Sequence, residues 1–179
     1  MTEGYSFGMN ILLIGMPGSG KSRIGKMLAE KLQREFIDVD DFIIAETGKD
    51  SAEHLAELGD TGFLDFEAKL VQKIDVENHV IAASGSVPLI EEGIEHLKKN
   101  AFAIWLKPPL HILKKRVEKR ADGDTRIVGM QSKSFEEIWE WREKEYEKHH
   151  HAILEIGEET PKEKVVVELM KILEKNAVA

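Results

Sequence analysis

The sequence contains no cysteine. That absence removes disulfides, thiolate metal sites and cysteine nucleophiles together, and it fits a reducing cytoplasm. No apolar run approaches the ~18 residues needed to span a bilayer. The opening stretch, MTEGYSFGM, has no basic region ahead of an apolar one, so no secretory signal is expected in it. Basic residues are in deficit: 25 Lys and Arg against 33 Asp and Glu leave a formal net charge of -8. This is the wrong sign for nonspecific binding to nucleic acid or to an anionic membrane. What remains is 179 residues, 42% hydrophobic and 32% charged, the length and composition of one globular domain. The expectation is an acidic, cytoplasmic, monomeric protein without nucleic-acid or membrane partners.

Apolar runs and helical periods alternate along the chain. Asn10 to Ile14 is almost wholly apolar and stops at Gly15, which suits a strand buried on both faces. Ile24, Met27, Leu28 and Leu32 carry a helical spacing from Lys21 to Gln33. Further strands are expected at Phe36–Asp38, Val80–Ala83, Ala101–Leu106 and Ala152–Ile156. Helices are expected over 41–48, 51–58, 63–76, 88–98, from Pro108-Pro109 to about Lys119, from Ser134 to about His150, and from Thr160-Pro161 onward. Ser134 with Glu137, and Thr160 with Glu163, are capping-box spacings. Residues 120–133 are polar, hold glycine and lack a period, as a mobile loop does. Strand and helix in alternation predict a parallel α/β sheet. Residues 1–9 read as an N-terminal extension and 10–176 as a single domain.

Gly15-Met16-Pro17-Gly18-Ser19-Gly20-Lys21-Ser22 matches the P-loop pattern between a strand and a helix. Glycines at 15, 18 and 20, with Ser19, let backbone N–H groups turn toward phosphate oxygens, and the helix N-terminus adds its positive end. Lys21 is placed to reach the β- and γ-phosphates and the Ser22 hydroxyl to ligate Mg²⁺, so a nucleoside triphosphate with Mg²⁺ is the expected ligand. No Asn/Thr-Lys-x-Asp guanine-reading motif follows. Instead Asp38 and Asp40 stand two apart at a strand end, where a doubly wound sheet opens its ligand crevice. One carboxylate there serves the metal through water and the other accepts a substrate hydroxyl proton. The structural alternative is that Asp40 caps the helix after it.

Together these motifs resemble the shikimate kinase family: Phe36-x-Asp38-x-Asp40, Thr47-Gly48, Gly59-Asp60-x-x-Phe63-x-x-x-Glu67, Val80-Ile81-Ala82-Ala83, Arg126, and Arg142 with Tyr146, spread over about residues 10–175. The resemblance implies a three-layer fold, a five-stranded parallel sheet flanked by helices with a lid at about 120–133. It implies ATP-dependent phosphorylation of a small-molecule hydroxyl, with shikimate as the acceptor. By position, Lys21, Asp40 and Arg126 would be catalytic and Ser22 and Asp38 would serve the metal. Asp40, Gly85 and Arg142 would meet the acceptor, and Arg116 or Arg120 would stack on adenine.

Three positions depart from the family pattern. Leu64 stands where an arginine binds the acceptor carboxylate. Ser84-Gly85-Ser86 replaces three glycines, adding two side chains to a tight place. Arg126-Ile127-Val128-Gly129 replaces Arg-Pro-Leu-Leu, keeping only the charge. Loss of one charge-assisted contact, typically ~1.5–3 kcal/mol, weakens binding by roughly 10–100-fold. These changes leave open another hydroxylated acceptor under the same mechanism, or a nucleotide-binding regulatory module with little kinase activity. Between Arg34 and Glu77 four basic residues face thirteen acidic ones, which disfavours a nucleoside monophosphate acceptor. Arg142 falls on the apolar stripe of Phe135, Ile138 and Tyr146, so it needs a ligand anion or an internal glutamate. His149-His150-His151 suggests a metal clamp, but consecutive helical residues face apart, and a partly buried helix end is expected instead. Trp139 and Trp141 lie on different faces, one of them expected in ordinary core.

Overall fold

Every residue of the first strand, β1 (Asn10–Ile14), is buried, because helices cover both faces of the sheet it centres. The computed structural model describes residues 8–120 and 127–176. The other strands are β2 (Glu35–Asp38), β3 (His79–Ala82), β4 (Ala101–Lys107) and β5 (Ala152–Glu155). All pair in parallel in the order β2-β3-β1-β4-β5. The helices are α1 (Lys21–Leu32), α2 (Val39–Thr47), α3 (Ser51–Val71), α4 (Glu91–Lys98), α5 (Leu110–Arg120), α6 (Phe135–His149) and α7 (Lys162–Asn176). Period-two alternation divides β1 between two cores. Leu12 and Ile14 face Val39, Ile43, Ile94 and Tyr146, while Ile11 and Leu13 face Ile24, Leu28, Val165 and Leu169. Strand β1 lies between β3 and β4, so the sheet changes direction of growth there and opens a crevice at its carboxyl end. The five-stranded parallel sheet flanked by helices is the expected one.

Several boundaries differ. The helices expected at 51–58 and 63–76 are one run, Ser51–Val71, kinked at Gly59 (φ 68, ψ 176) and ending five residues short of Val76. An unanticipated capping box of Asp50 and Glu53 starts it. The helix expected from Pro88 is a 3-10 turn, Val87–Leu89, followed by α4. The capping box of Ser134 and Glu137 starts α6 as expected. Of the loop at 120–133, residues 121–126 lie outside the described residues, and Arg126 with them. Ile127 and Val128 are buried, and Gly129 donates its N–H to Asp60 Oδ2 at 3.1 Å. This end of the segment is therefore packed rather than loose. Of the N-terminal extension, Gly8 and Met9 are described; the Gly8 carbonyl accepts from the Asn78 N–H and from Asn100 Nδ2. Among the described residues no helix is long and apolar enough to cross a membrane.

Candidate active site

The segment from Gly15 to Gly20 leaves β1 at the crevice and enters α1 with no side chain capping the helix. Gly20 occupies the cap position at φ 94, left-handed backbone that favours glycine, and the first turn carries no acidic residue. The N–H groups of that turn are thus uncapped, with the positive end of the helix behind them, which is the arrangement that holds an anion. Ser19 is buried within the loop, its N–H bonded to the Met16 carbonyl at 3.1 Å. Lys21 lies across the loop, its Nζ donating to the carbonyls of Gly15 (2.8 Å) and Met16 (3.1 Å). Arg116, on α5, donates to the Gly18 carbonyl at 3.0 Å, fastening that helix to the loop.

Gly18, Gly20, Lys21, Ser22, Asp40, Gly85 and Arg142 all line one cavity of about 420 Å³. The two carboxylates at the end of β2 divide their work. Asp38, not Asp40, caps α2: its Oδ1 accepts from the Asp40 N–H at 3.0 Å. The strand runs through Asp38 and the helix begins at Val39, two positions earlier than the capping alternative requires. Asp40 is thereby left to face the cavity, where its Oδ1 accepts from the Ser51 hydroxyl at 2.9 Å. Asp40 keeps solvent access, yet desolvation by the surrounding protein raises its pKa, and the charge of Asp38 raises it further, against Ser51 and Lys21. Among the described residues no three His, Asp or Glu side chains cluster to hold a metal alone. Mg²⁺ does not require such a cluster, since it takes one or two protein oxygens and completes its shell from phosphates and water. The Ser22 hydroxyl and the Asp38 carboxylate fit that donor chemistry.

The opposite wall is built by the segment after β3. A Cβ on Gly85 would meet Pro17 Cδ at 2.7 Å and Arg142 Nη1 at 3.0 Å, so this residue must be glycine for the segment to lie against the P-loop. Ser84 and Ser86 flank it on the same wall, with their hydroxyls beside Glu67. The Ser84 hydroxyl donates to Glu67 Oε1 at 2.5 Å and lies 3.2 Å from the Ser86 hydroxyl. Glu67 is wholly buried and its Oε2 has no hydrogen-bond partner. Burial pushes its pKa up to about 7, against the serine hydrogen bonds and Arg142.

Arg142 is inward, as its place on the α6 stripe requires, with 1% of its surface exposed. Its guanidinium donates to two backbone carbonyls, Gly85 and Val128, both at 3.1 Å, and not to an internal glutamate, the structural alternative to a ligand anion. Its Nε has no partner. Tyr146, one turn on, donates to the same Gly85 carbonyl at 2.8 Å. The Arg-x-x-x-Tyr spacing therefore grips one carbonyl from one helix face. Leu64 packs beside the cavity with Leu55, Phe63, Val128 and Trp141, so this side is apolar where the family pattern has a cation.

Other expectations resolve without joining the site. The Arg120 backbone ends α5, and its side chain lies outside the described residues; Arg116 is held at the P-loop by its bond to the Gly18 carbonyl. Trp139 packs partly against the main core and Trp141 against the Leu55–Phe63–Val128 cluster, whereas Trp105 is the fully buried one. The three histidines diverge. His149 is buried toward Glu91 and Glu95 of α4, His150 Nδ1 meets the Tyr146 carbonyl, and His151 Nδ1 accepts from the Ala103 N–H. Thr47-Gly48 is the end of α2, with Gly48 in left-handed backbone and the Thr47 hydroxyl donating to the Ile43 carbonyl and meeting His54 Nε2. Glu67 and Tyr146 were not singled out as site residues by the sequence. The available signal was an acid four residues after Phe63 on the buried stripe that continues to Leu70 and Val71.

The shikimate kinase family model matches residues 17–174. A shikimate kinase of Clostridium botulinum is 37% identical over 153 residues, covering 84% of this chain and 89% of that protein. One from Persephonella marina is 34% identical over 138 residues, covering 76% and 83%. Among solved structures, shikimate kinase from Acinetobacter baumannii in complex with shikimate superposes with a TM-score of 0.85 at 22% identity, covering 98% of this chain and 97% of that one. The Aquifex aeolicus enzyme superposes with a TM-score of 0.78 at 26% identity, covering 95% and 99%. With the P-loop, Asp40 and the α6 arginine gathered at one cavity, and with relatives matched over most of their length, the chain belongs to the shikimate kinase family.

Proposed function

We propose that the protein transfers the γ-phosphoryl group of ATP to a hydroxyl of shikimate, with Asp40 as the group that receives or orients the hydroxyl proton. The observation that carries the role is the division of the two carboxylates: Asp38 caps α2, and Asp40 faces the cavity that the P-loop lines. Uncapped N–H groups at the start of α1, with Lys21, hold the triphosphate. Mg²⁺, held by Ser22 and by Asp38 through water, would neutralise charge on the transferring phosphate. The acceptor oxygen forms its bond to the γ-phosphorus as the bond to the bridging oxygen breaks. That electron pair leaves with ADP, and the hydroxyl proton passes toward Asp40, whose raised pKa suits it to take one. Arg142, with an unpartnered Nε at the cavity wall, is the cation for the acceptor carboxylate. Arg126, outside the described residues, is assigned to the transferring phosphate by its place in the family pattern. The enzyme is further proposed to be a cytoplasmic monomer; the net charge of -8 and the lack of cysteine support the compartment and the absence of a polyanionic partner.

Asp40→Asn should bind ATP nearly as the wild type does and transfer phosphate to shikimate at least ~100-fold more slowly. Steady-state rates with shikimate, beside ATP titration of both proteins, check this. Near-normal turnover in the variant would remove Asp40 from the role.

A further inference from the structure

The acceptor side of the cavity offers few polar groups. Ile44, Leu55, Phe63, Ile127 and Val128 make much of it apolar. Under the proposed function Asp40 takes the reacting hydroxyl and Arg142 the carboxylate. Of the other polar side chains on that wall, Ser51 is bonded to Asp40 and Arg23 and Asp50 are exposed, whereas Ser84 and Ser86 are buried. The proton of Ser84 is already committed, because its hydroxyl donates to Glu67 Oε1 at 2.5 Å. A hydroxyl whose proton is committed keeps its lone pairs, and so it can only accept from an incoming group. Ser86, 3.2 Å from Ser84, extends the same polar spot. This arrangement is costly as mere packing. It buries a carboxyl with one unpartnered oxygen, a desolvation penalty that an apolar trio would avoid.

We propose that Ser84 and Ser86, braced by Glu67, are specificity-determining residues that accept a hydrogen bond from a second, non-reacting hydroxyl of the acceptor. Glu67 is the positioning residue: it turns the Ser84 proton away from the cavity and so selects an O–H donor over a carboxylate oxygen at that spot. The pair thereby favours a polyhydroxylated acid over a simple hydroxy acid. The Leu64 wall offers no cation beside it, so discrimination shifts from the acceptor's charge toward its hydroxyl pattern. This inference rests on the proposed kinase reading and concerns the same cavity.

The test compares kcat/KM for shikimate with kcat/KM for deoxy analogues that each lack one non-reacting hydroxyl. In the wild type one analogue should be poorer by roughly 10–100-fold, the worth of one lost hydrogen bond with its partner left buried. Ser84→Ala and Ser86→Ala should cut that ratio to within about threefold, while Ser84→Thr, which keeps the hydroxyl, should hold it. General damage to the fold lowers both rates and leaves their ratio unmoved, so the ratio reports recognition rather than stability. Should Ser84→Ala not fold, Ser86→Ala and Ser84→Thr carry the comparison. A wild type that transfers nothing to shikimate overturns the kinase reading and this proposal together. A wild type that phosphorylates shikimate, with a ratio unchanged in the alanine variants, overturns this proposal alone.

Discussion

Glu67 shows what one residue costs and what it does. The folded protein surrounds it with Ser84 and Ser86 from the segment after β3, Asp40 from α2, and Arg142 and Tyr146 from α6. Its pKa rises from 4.5 to about 7 on folding. A raised carboxyl pKa means that the folded state holds the proton more tightly than the unfolded state. The stabilisation is therefore complete below about pH 4.5 and is lost as the pH climbs through about 7; linkage puts it at roughly 3 kcal/mol. Glu67→Gln removes the titration while keeping an oxygen for Ser84. Urea unfolding at pH 5 and pH 8 should show the wild type losing more stability than the variant, by up to roughly that amount. Asp40 is raised chiefly by burial and by Asp38 in both proteins, so most of its contribution is common to the two. Equal losses in the two would mean that Glu67 does not change protonation over this range.

At the scale of elements, the site is a meeting of segments rather than a property of any one. The segment after β3 lies against Pro17 at Gly85, and α6 fastens it there through Arg142 and Tyr146. Gly85→Ala should force that segment off the P-loop. The expected outcome is a loss of ~1–3 kcal/mol of stability, as for other overpacked contacts, and a fall of at least ~10-fold in kcat/KM. Thermal unfolding and steady-state kinetics would show both, and a variant unchanged in both would mean that the two segments separate freely. The same element scale explains what the sequence disclosed. The strands, the P-loop and the capping box of α6 are local patterns, and each was legible. The inward turn of Arg142 was legible too, from its helical phase with Ile138 and Tyr146. The partnership of Glu67 with Ser84 was not, because it joins α3 to a segment seventeen residues away with no periodicity linking the two. Nor could the i, i+2 spacing of Asp38 and Asp40 decide which one caps α2. The start of α2 at Val39 rather than residue 41 decided that, and element boundaries are the weakest part of any propensity argument. The packed end of the loop at 120–133 escaped notice for a related reason: two apolar residues, Ile127 and Val128, are too few to show a period yet enough to anchor a chain.

Across the whole molecule, charge is distributed by task. Residues 111–131 hold six basic and three acidic side chains, leaving 19 basic and 30 acidic elsewhere. Arg116, from the basic segment, reaches the P-loop at Gly18, where a triphosphate would gather negative charge. The region from Arg34 to Glu77, which supplies Asp40, Leu55, Phe63 and Glu67, is acidic and poor in arginine. A chain acidic overall thus presents cations on the nucleotide side and apolar and hydroxyl groups on much of the acceptor side. That polarity suits a small hydroxylated acceptor better than a second nucleotide. The most direct measurement is ADP release by the wild-type protein as shikimate is titrated at saturating ATP and Mg²⁺. Release that saturates with shikimate, with one ADP formed for each phosphorylated acceptor, is the predicted result. Release that proceeds at the same rate without shikimate, and leaves shikimate unmodified, would contradict it.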